Sequence, residues 1–259
     1  MSEQHETYDR ITTVIFDMDG TLIEHTWQLT TICEALFARF ADKLAPLTAD
    51  EFFDCYWDKS YDMWHMMVDQ VIDGNTAAQY AYANTLRALG HDPGLAGPML
   101  DYWVELVLQE AVPFDDTYDV LKAIRQKYTT GILTNGYIHL QRQKIEKYGF
   151  AACVDFTIIS EESGYHKPDR RVFEHALALA GRPAPEEVLF VGDNLDTDIS
   201  GALGAGLVPV LIDTKDRAEP PEGVLEISTL AELLQLLKVE SVDRNLRSEA
   251  SSDAERSRI

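Results

Sequence analysis

VIFDMDGTL, residues 14–22, is an apolar run that ends in two aspartates one residue apart, Asp17 and Asp19, followed at once by Gly20 and Thr21. The run itself has no polar alternation, the pattern of a strand buried on both faces. Two carboxylates at the end of such a strand repel each other and do nothing for packing. Their position asks for a ligand or a cation that makes them useful.

Four further runs have the same character: TTGILTN from Thr129, VDFTIIS from Val154, EVLFVGD from Glu187 and LVPVLID from Leu207. Between them lie helical patterns, DDTYDVLKAIRQKY, GYIHLQRQKIEKYG and DRRVFEHALALAG. Strands alternating with helices predict an α/β fold, a Rossmann-like parallel sheet with helices on both faces and right-handed crossovers.

The first two strands are far apart in the chain. From Glu24 to Val112 the pattern is helical throughout, with helices expected over 26–44, 50–73, 75–90 and 96–111. The sequence therefore reads as a discontinuous α/β core, residues 8–23 and 113–239, carrying an inserted all-helical cap over residues 24–112. The polar, charge-mixed stretch 240–259 is expected to be a disordered tail. All four tryptophans, Trp27, Trp57, Trp64 and Trp103, fall in the insertion. Phe53, Trp57, Tyr61, Trp64, Val68 and Val71 recur at helical spacing and read as a bundle core, or as a stripe of which one or two rings line a pocket.

A formal net charge of −22 argues against nucleic-acid polymers and anionic membranes as partners. No apolar run is long enough to span a bilayer, and the polar, acidic start MSEQHETYDR lacks the chemistry of a secretory signal, so a cytoplasmic location is expected. Three widely spaced cysteines, Cys33, Cys55 and Cys153, suggest neither a disulfide framework nor a zinc cluster. The sequence does not reveal the oligomeric state.

Each informative polar cluster falls at the C-terminal end of an expected strand, or on the loop beyond it, where open α/β sheets bind ligands. These are Asp17 and Asp19, then Thr134 and Asn135, then Lys167, then Asp193 and Asp198. In that order and spacing, DMDGT, LTNG, HKP and GDNLDTD resemble the four motifs of the haloacid dehalogenase-like superfamily. The resemblance runs from about Ile11 to Leu237, with the insertion in the place of that superfamily's cap. GILTNGYIHLQRQKIEKYGF and IISEESGYHKPDRRVFEHAL are further similar to the branch holding pyrimidine nucleotidases and acylneuraminate-phosphate phosphatases.

The resemblance implies a Mg²⁺-dependent hydrolase of small phosphomonoesters working through an aspartyl-phosphate. Asp17 is the expected nucleophile and Asp19 the acid that protonates the leaving oxygen and then deprotonates water. Gly20 lets the backbone turn sharply towards the phosphate, and Thr21 is expected to tie that turn. Thr134, Asn135 and Lys167 are expected to bind the phosphoryl oxygens, with Thr134 and Lys167 also serving the chemistry. Mg²⁺ prefers oxygen ligands; Asp17, the backbone carbonyl of Asp19, and Asp193 are expected to supply them, with Asp198 ordering the ion's waters. Pro168 is expected to open a helix. Asp196 reads as a helix-start acid, and the scattered histidines as non-catalytic.

Several rivals are weighed against this. A dehalogenase or phosphonatase needs no second acid, so Asp19 speaks against both. A sugar phosphomutase needs basic residues to recapture its intermediate, and the insertion has only Arg39, Lys43, Lys59 and Arg87. A non-catalytic binding protein of the same fold would be expected to have lost a carboxylate or the lysine. A nucleoside 5'-monophosphate is the preferred substrate, with phosphoglycolate or a sugar phosphate next.

Overall fold

In the computed structural model, which describes residues 8–25, 29–69, 71–214 and 219–240, strand β1 (Thr13–Phe16) is central to a six-stranded sheet. Trp27 and the expected tail beyond Glu240 lie outside the described residues. The sheet also contains β4 (Thr129–Thr134), β5 (Phe156–Ile159), β6 (Val188–Gly192), β7 (Val208–Ile212) and β8 (Leu225–Ile227), in the order β5-β4-β1-β6-β7-β8. Every pairing is parallel; Thr13 stands opposite Thr129 on one side and Val188 on the other. The chain moves from β1 to β4 and β5 on one side, then returns to β6, β7 and β8 on the other. The order thus reverses beside β1, which opens a crevice at the carboxyl ends of these strands.

Both faces of the sheet are covered. Val14 and Phe16 point into a cluster with Val120, Leu121 and Ile124 of helix α5 (Thr117–Arg125), and with Leu233 of α9 (Glu232–Leu236). Ile15 points the other way, towards Val172, Phe173 and Ala176 of α7 (Arg170–Leu179) and Ala202 of α8 (Ser200–Ala205). All these side chains are fully or almost fully buried. Each contributes about 1.5–3 kcal/mol by leaving water, less for the alanines. The α/β fold read from the sequence is the fold observed.

The intervening helices are α1 (Leu29–Leu44), α2 (Ala49–Val68), α3 (Gly74–Ala88) and α4 (Ala96–Glu110). They share an apolar cluster of their own, built on Leu36, Phe52, Tyr82, Leu86, Met99 and Val107. Leu140 of α6 (Ile138–Tyr148) joins this cluster from the sheet side. A capping box starts α2: the Glu51 N–H donates to Thr48 Oγ1 at 3.3 Å and the Thr48 N–H to Glu51 Oε2 at 2.9 Å. The expected helix over 50–73 stops at Val68 with Asp69 as its C-cap, and Asp73 is already the N-cap of α3, accepting the Thr76 N–H at 2.9 Å.

Three short strands escaped the sequence reading. Ile23–His25 (β2) and Ala111–Pro113 (β3) pair as an antiparallel ribbon through which the chain leaves and re-enters the sheet. With β8 they are only three residues each, too brief for a periodicity to register. The stripe on α2 divides as well. Phe53 is core, but Trp57, Tyr61 and Trp64 are 43%, 66% and 40% exposed, so the bundle-core reading fails for them. Val71 lies beyond the helix and is exposed.

Candidate active site

β1 hands the chain directly to Asp17, whose N–H donates to the Val191 carbonyl of β6 at 2.8 Å and whose side chain is buried. The turn that follows is closed by main-chain bonds, Leu22 N–H to Met18 O at 2.9 Å and Gly20 N–H to Ile23 O at 2.8 Å. Thr21 does not tie this turn: its hydroxyl is buried with no hydrogen-bond partner among the described residues. Gly20 has φ +89°, and any Cβ there would overlap the carboxylate of Asp193. Gly192 serves the next carboxylate in the same way, since a Cβ there would overlap Asp198. Two glycines thus let two acids approach the end of β1.

Lys167 comes to the same point from the loop after β5. Its ammonium lies 2.5 Å from Asp17 Oδ1 and 2.7 Å from Asp198 Oδ1, and all three side chains are buried. Burial works against the lysine's charge, yet Asp17 and Asp198 outweigh it and raise its proton affinity above the ordinary value. Burial pushes the Asp17 carboxyl well above the usual range; Lys167 opposes this, while Asp198 and Asp193 add to it. Asp198 also accepts the Asn194 N–H at 3.1 Å. Oxygens of Asp17, Asp193 and Asp198 all lie within 4.8 Å of one another. Three hard oxygen donors with no sulfur or nitrogen donor among them suit Mg²⁺.

Thr134 and Asn135 end β4 beside this cluster. Asn135 grips the main chain of Lys167 at both ends of its amide, accepting the Lys167 N–H and donating to the Lys167 carbonyl, each at 2.9 Å. Its side chain therefore fixes the lysine loop. Thr134 Oγ1 accepts from Gln141 Nε2 at 2.8 Å. α6 begins at Ile138, two residues later than the expected start near Gly136. Pro168 does not open α7 either: Asp169 is the N-cap, accepting the Arg171 N–H at 2.9 Å. Asp196 stands in the first turn of the helical segment Leu195–Ile199, as a helix-start acid should, and Asn194 caps that turn by accepting the N–H groups of Asp196 and Thr197.

Asp19 is held away from Lys167 by residues the sequence reading passed over. Lys144 Nζ reaches its two carboxylate oxygens at 2.7 and 2.8 Å, and Gln141 Nε2 reaches Oδ2 at 2.8 Å. Both residues are 2% exposed. A detectable signal existed: they sit three apart on α6, interleaved with Leu140 and Ile145, as polar residues on an apolar face.

Among the inserted helices, Trp57 and Trp64 of α2, Tyr82 of α3 and Trp103 of α4, with Tyr137 before α6, line a cavity of about 470 Å³. Trp64 also faces His166, ring centroids 6.3 Å apart, and borders a second cavity of about 590 Å³ that contains Lys167, Asn135 and Arg171. Among the described residues no helix is long and apolar enough to cross a membrane.

The family profile of the haloacid dehalogenase-like hydrolases matches residues 11–206. A pyrimidine 5'-nucleotidase of Escherichia coli K12, YjjG, is 31% identical over 227 residues, 86% of this chain and 96% of that protein. The mouse N-acylneuraminate-9-phosphatase is 27% identical over 242 residues, 88% and 94% of the two chains. Among solved structures, the magnesium-bound HAD-hydrolase YfnB of Bacillus subtilis superposes with a TM-score of 0.63 at 24% identity, covering 88% of this chain and 99% of that one. The chain belongs to the haloacid dehalogenase-like hydrolases. It is an enzyme, a hydrolase of the phosphatase type.

Proposed function

We propose that the enzyme hydrolyses small phosphomonoesters, a nucleoside 5'-monophosphate foremost, through an aspartyl-phosphate on Asp17, with residues 24–112 acting as a cap over the site. The observation that carries this reading is the meeting of Asp17, Asp193, Asp198 and Lys167 at one strand edge. An Asp17 oxygen supplies the electron pair to phosphorus while the bond to the ester oxygen breaks, and that oxygen takes the proton of Asp19. Asp19, now a carboxylate, accepts a proton from water as the water oxygen attacks phosphorus. The bond to Asp17 breaks, phosphate leaves, and both carboxyl groups return to their starting state.

Lys167, together with Thr134 at the end of β4, faces the phosphoryl oxygens and offsets their charge, and Asn135 serves by holding the main chain of Lys167. Asp17, Asp193 and the main-chain carbonyl of Asp19 would hold Mg²⁺, with Asp198 beside them. The ion when bound would neutralise negative charge on the phosphoryl group. The nucleotide preference is supported by the aromatic cavity, whose rings suit a planar base and which shares Trp64 with the cavity that Lys167 lines, and by the likeness to a pyrimidine 5'-nucleotidase.

Phosphate release measured across nucleoside monophosphates, sugar phosphates and phosphoglycolate, with Mg²⁺ and with EDTA, tests both levels. Release from nucleotides at the highest kcat/KM, lost with EDTA and in Asp17→Asn, is the expected result. Fastest release from a sugar phosphate or phosphoglycolate would move the substrate assignment. Near-normal activity of Asp17→Asn would end the mechanism.

A further inference from the structure

We propose that Lys144 and Gln141 are positioning residues for the acid–base step, acting through Asp19; this rests on the reading of Asp19 as the proton donor to the leaving oxygen. Asp17 needs no such support, because Lys167 and the end of β1 already fix it. Asp19 is on the turn beyond β1 and is more exposed, its side chain at 20%, so something outside that turn must hold its carboxylate.

Two observations point to α6 as that support. Lys144 is a lysine buried to 3% of its side-chain surface whose ammonium is turned onto both oxygens of Asp19. A buried ammonium is costly unless paired, so this contact governs where the side chain sits. Gln141 gives the second. Its Nε2 contacts Asp19 Oδ2, Thr134 Oγ1 and the Asn135 carbonyl, at 2.8, 2.8 and 2.9 Å. The Asn135 carbonyl can only accept, which fixes the amide with its nitrogen towards these three neighbours. The same orientation leaves Gln141 Oε1 buried without a partner among the described residues. An apolar residue there would avoid that loss. The fold instead keeps an amide, 122 residues along the chain from Asp19, that ties Asp19 to the hydroxyl of Thr134.

The consequence is geometric. With one ammonium and one amide on its two oxygens, the Asp19 carboxyl has a single defined place next to the phosphate-binding end of β4, and the leaving oxygen meets the proton donor there. A general acid matters in proportion to how poor the leaving group is. Removing the support should therefore damage alkyl phosphates and spare p-nitrophenyl phosphate, whose leaving group departs without help.

The test measures kcat/KM, which covers the steps up to departure of the leaving group and not the later attack of water on the shared aspartyl-phosphate, for a nucleoside monophosphate and for p-nitrophenyl phosphate in Lys144→Met, Gln141→Met, Asp19→Asn and the double variant Lys144→Met/Asp19→Asn. Lys144→Met is expected to lose about tenfold or more in kcat/KM on the alkyl ester and less than about threefold on the aryl ester. Lys144→Arg should recover part of the loss. The double variant should be no slower than Asp19→Asn alone, because both changes act through one group. Equal losses on the two esters, or losses that add in the double variant, would overturn the proposal and leave Lys144 a structural ion pair. If Lys144→Met does not fold, Gln141→Met carries the same comparison. Should Asp19→Asn itself show no dependence on the leaving group, the acid–base reading of Asp19 fails, which is a different result.

Discussion

Glu161 and Gly74 join the two apolar layers of the molecule: the Glu161 carboxylate accepts the N–H of Gly74, the first residue of α3. Its other oxygen accepts the N–H of Ile138, the first residue of α6, at 2.6 Å. One side chain thus caps two helices, one from the inserted set and one from the sheet layer, and its charge suits both N-termini. Gly74 has no room for more. A Cβ there would run into the ring of Tyr137 and crowd Glu161 itself. Glu161→Ala should cost about 1–3 kcal/mol in a denaturant melt, two caps being lost at once. Glu161→Gln should cost less, since its amide oxygen can still serve one helix. Gly74→Ala should raise KM more than it lowers the melting temperature, because it pushes α3 off Tyr137 without emptying a core. A Gly74→Ala enzyme with unaltered KM would show that this contact does not set the fit of the two layers.

The carboxylate cluster predicts a stability effect that needs no substrate. Asp17, Asp193 and Asp198 repel one another in a buried place, and Lys167 supplies a single positive charge among them. A divalent cation that binds the folded form alone should raise stability by about 2.7 kcal/mol at a hundred times its dissociation constant. Thermal melts with and without Mg²⁺ should reveal that gain in the parent enzyme and little of it in Asp193→Asn. Gly20→Ala should behave similarly, since its Cβ displaces the Asp193 carboxylate and its φ of +89° strains any side chain.

How far the sequence could be read follows from where each group sits on its element. Asp17 and Asp193 lie at the ends of continuous apolar runs, where a polar residue stands out, and Lys167 was legible through the HKP motif on the loop beyond one. The parallel sheet was legible for the same reason. Lys144, Gln141 and Glu161 had no such setting. A lysine and a glutamine in LQRQKIEK look like a solvated helix face until the fold turns that face inward. Glu161 looks like a surface acid until α3 arrives from 87 residues away. Thr21 misled for the opposite reason: a threonine after a glycine suggests a tied turn, but main-chain bonds close it first. Trp57 and Trp64 fit the helical stripe, yet α2 is longer than the bundle it packs on, and those rings are left beside a cavity.

Asp155 gives a pH signature away from the site. It accepts from the N–H and hydroxyl of Thr130, at 2.8 and 3.1 Å, and from Arg125 Nε at 3.1 Å. Burial alone would raise its proton affinity, but the bonds from Thr130 and the charge of Arg125 outweigh it and hold the carboxyl below its ordinary value. A carboxyl depressed by folding stabilises above its unfolded pKa, near 3.9, and that stability is lost as pH falls through the lower folded value. Asp155→Asn should therefore be less stable than the parent by about 1–2 kcal/mol at neutral pH, the worth of the bonds to Thr130. The gap should close below about pH 4. A gap that stays constant into acid would assign the effect to shape instead of charge.

The aromatic cavity separates substrate recognition from chemistry. Trp57 is 43% exposed and lines the cavity with Trp64, Tyr82, Trp103 and Tyr137, so replacing it removes little core packing. Tyr82 is fully buried and stacks on Tyr56 with centroids 4.6 Å apart, so it belongs to the scaffold of the inserted helices. If a nucleobase occupies this space, it gains most from the exposed ring, and base–aromatic stacking contributes about 1–3 kcal/mol per base. Trp57→Ala should then raise KM for a nucleoside monophosphate about tenfold. The same change should leave kcat and KM for phosphoglycolate unaltered, because that substrate has no ring to stack. Tyr82→Ala should instead lower the melting temperature and impair every substrate together. A Trp57→Ala enzyme that handles both esters as the parent does would remove the base from this cavity and leave the substrate to be sought in the neighbouring one, beside His166 and Arg171.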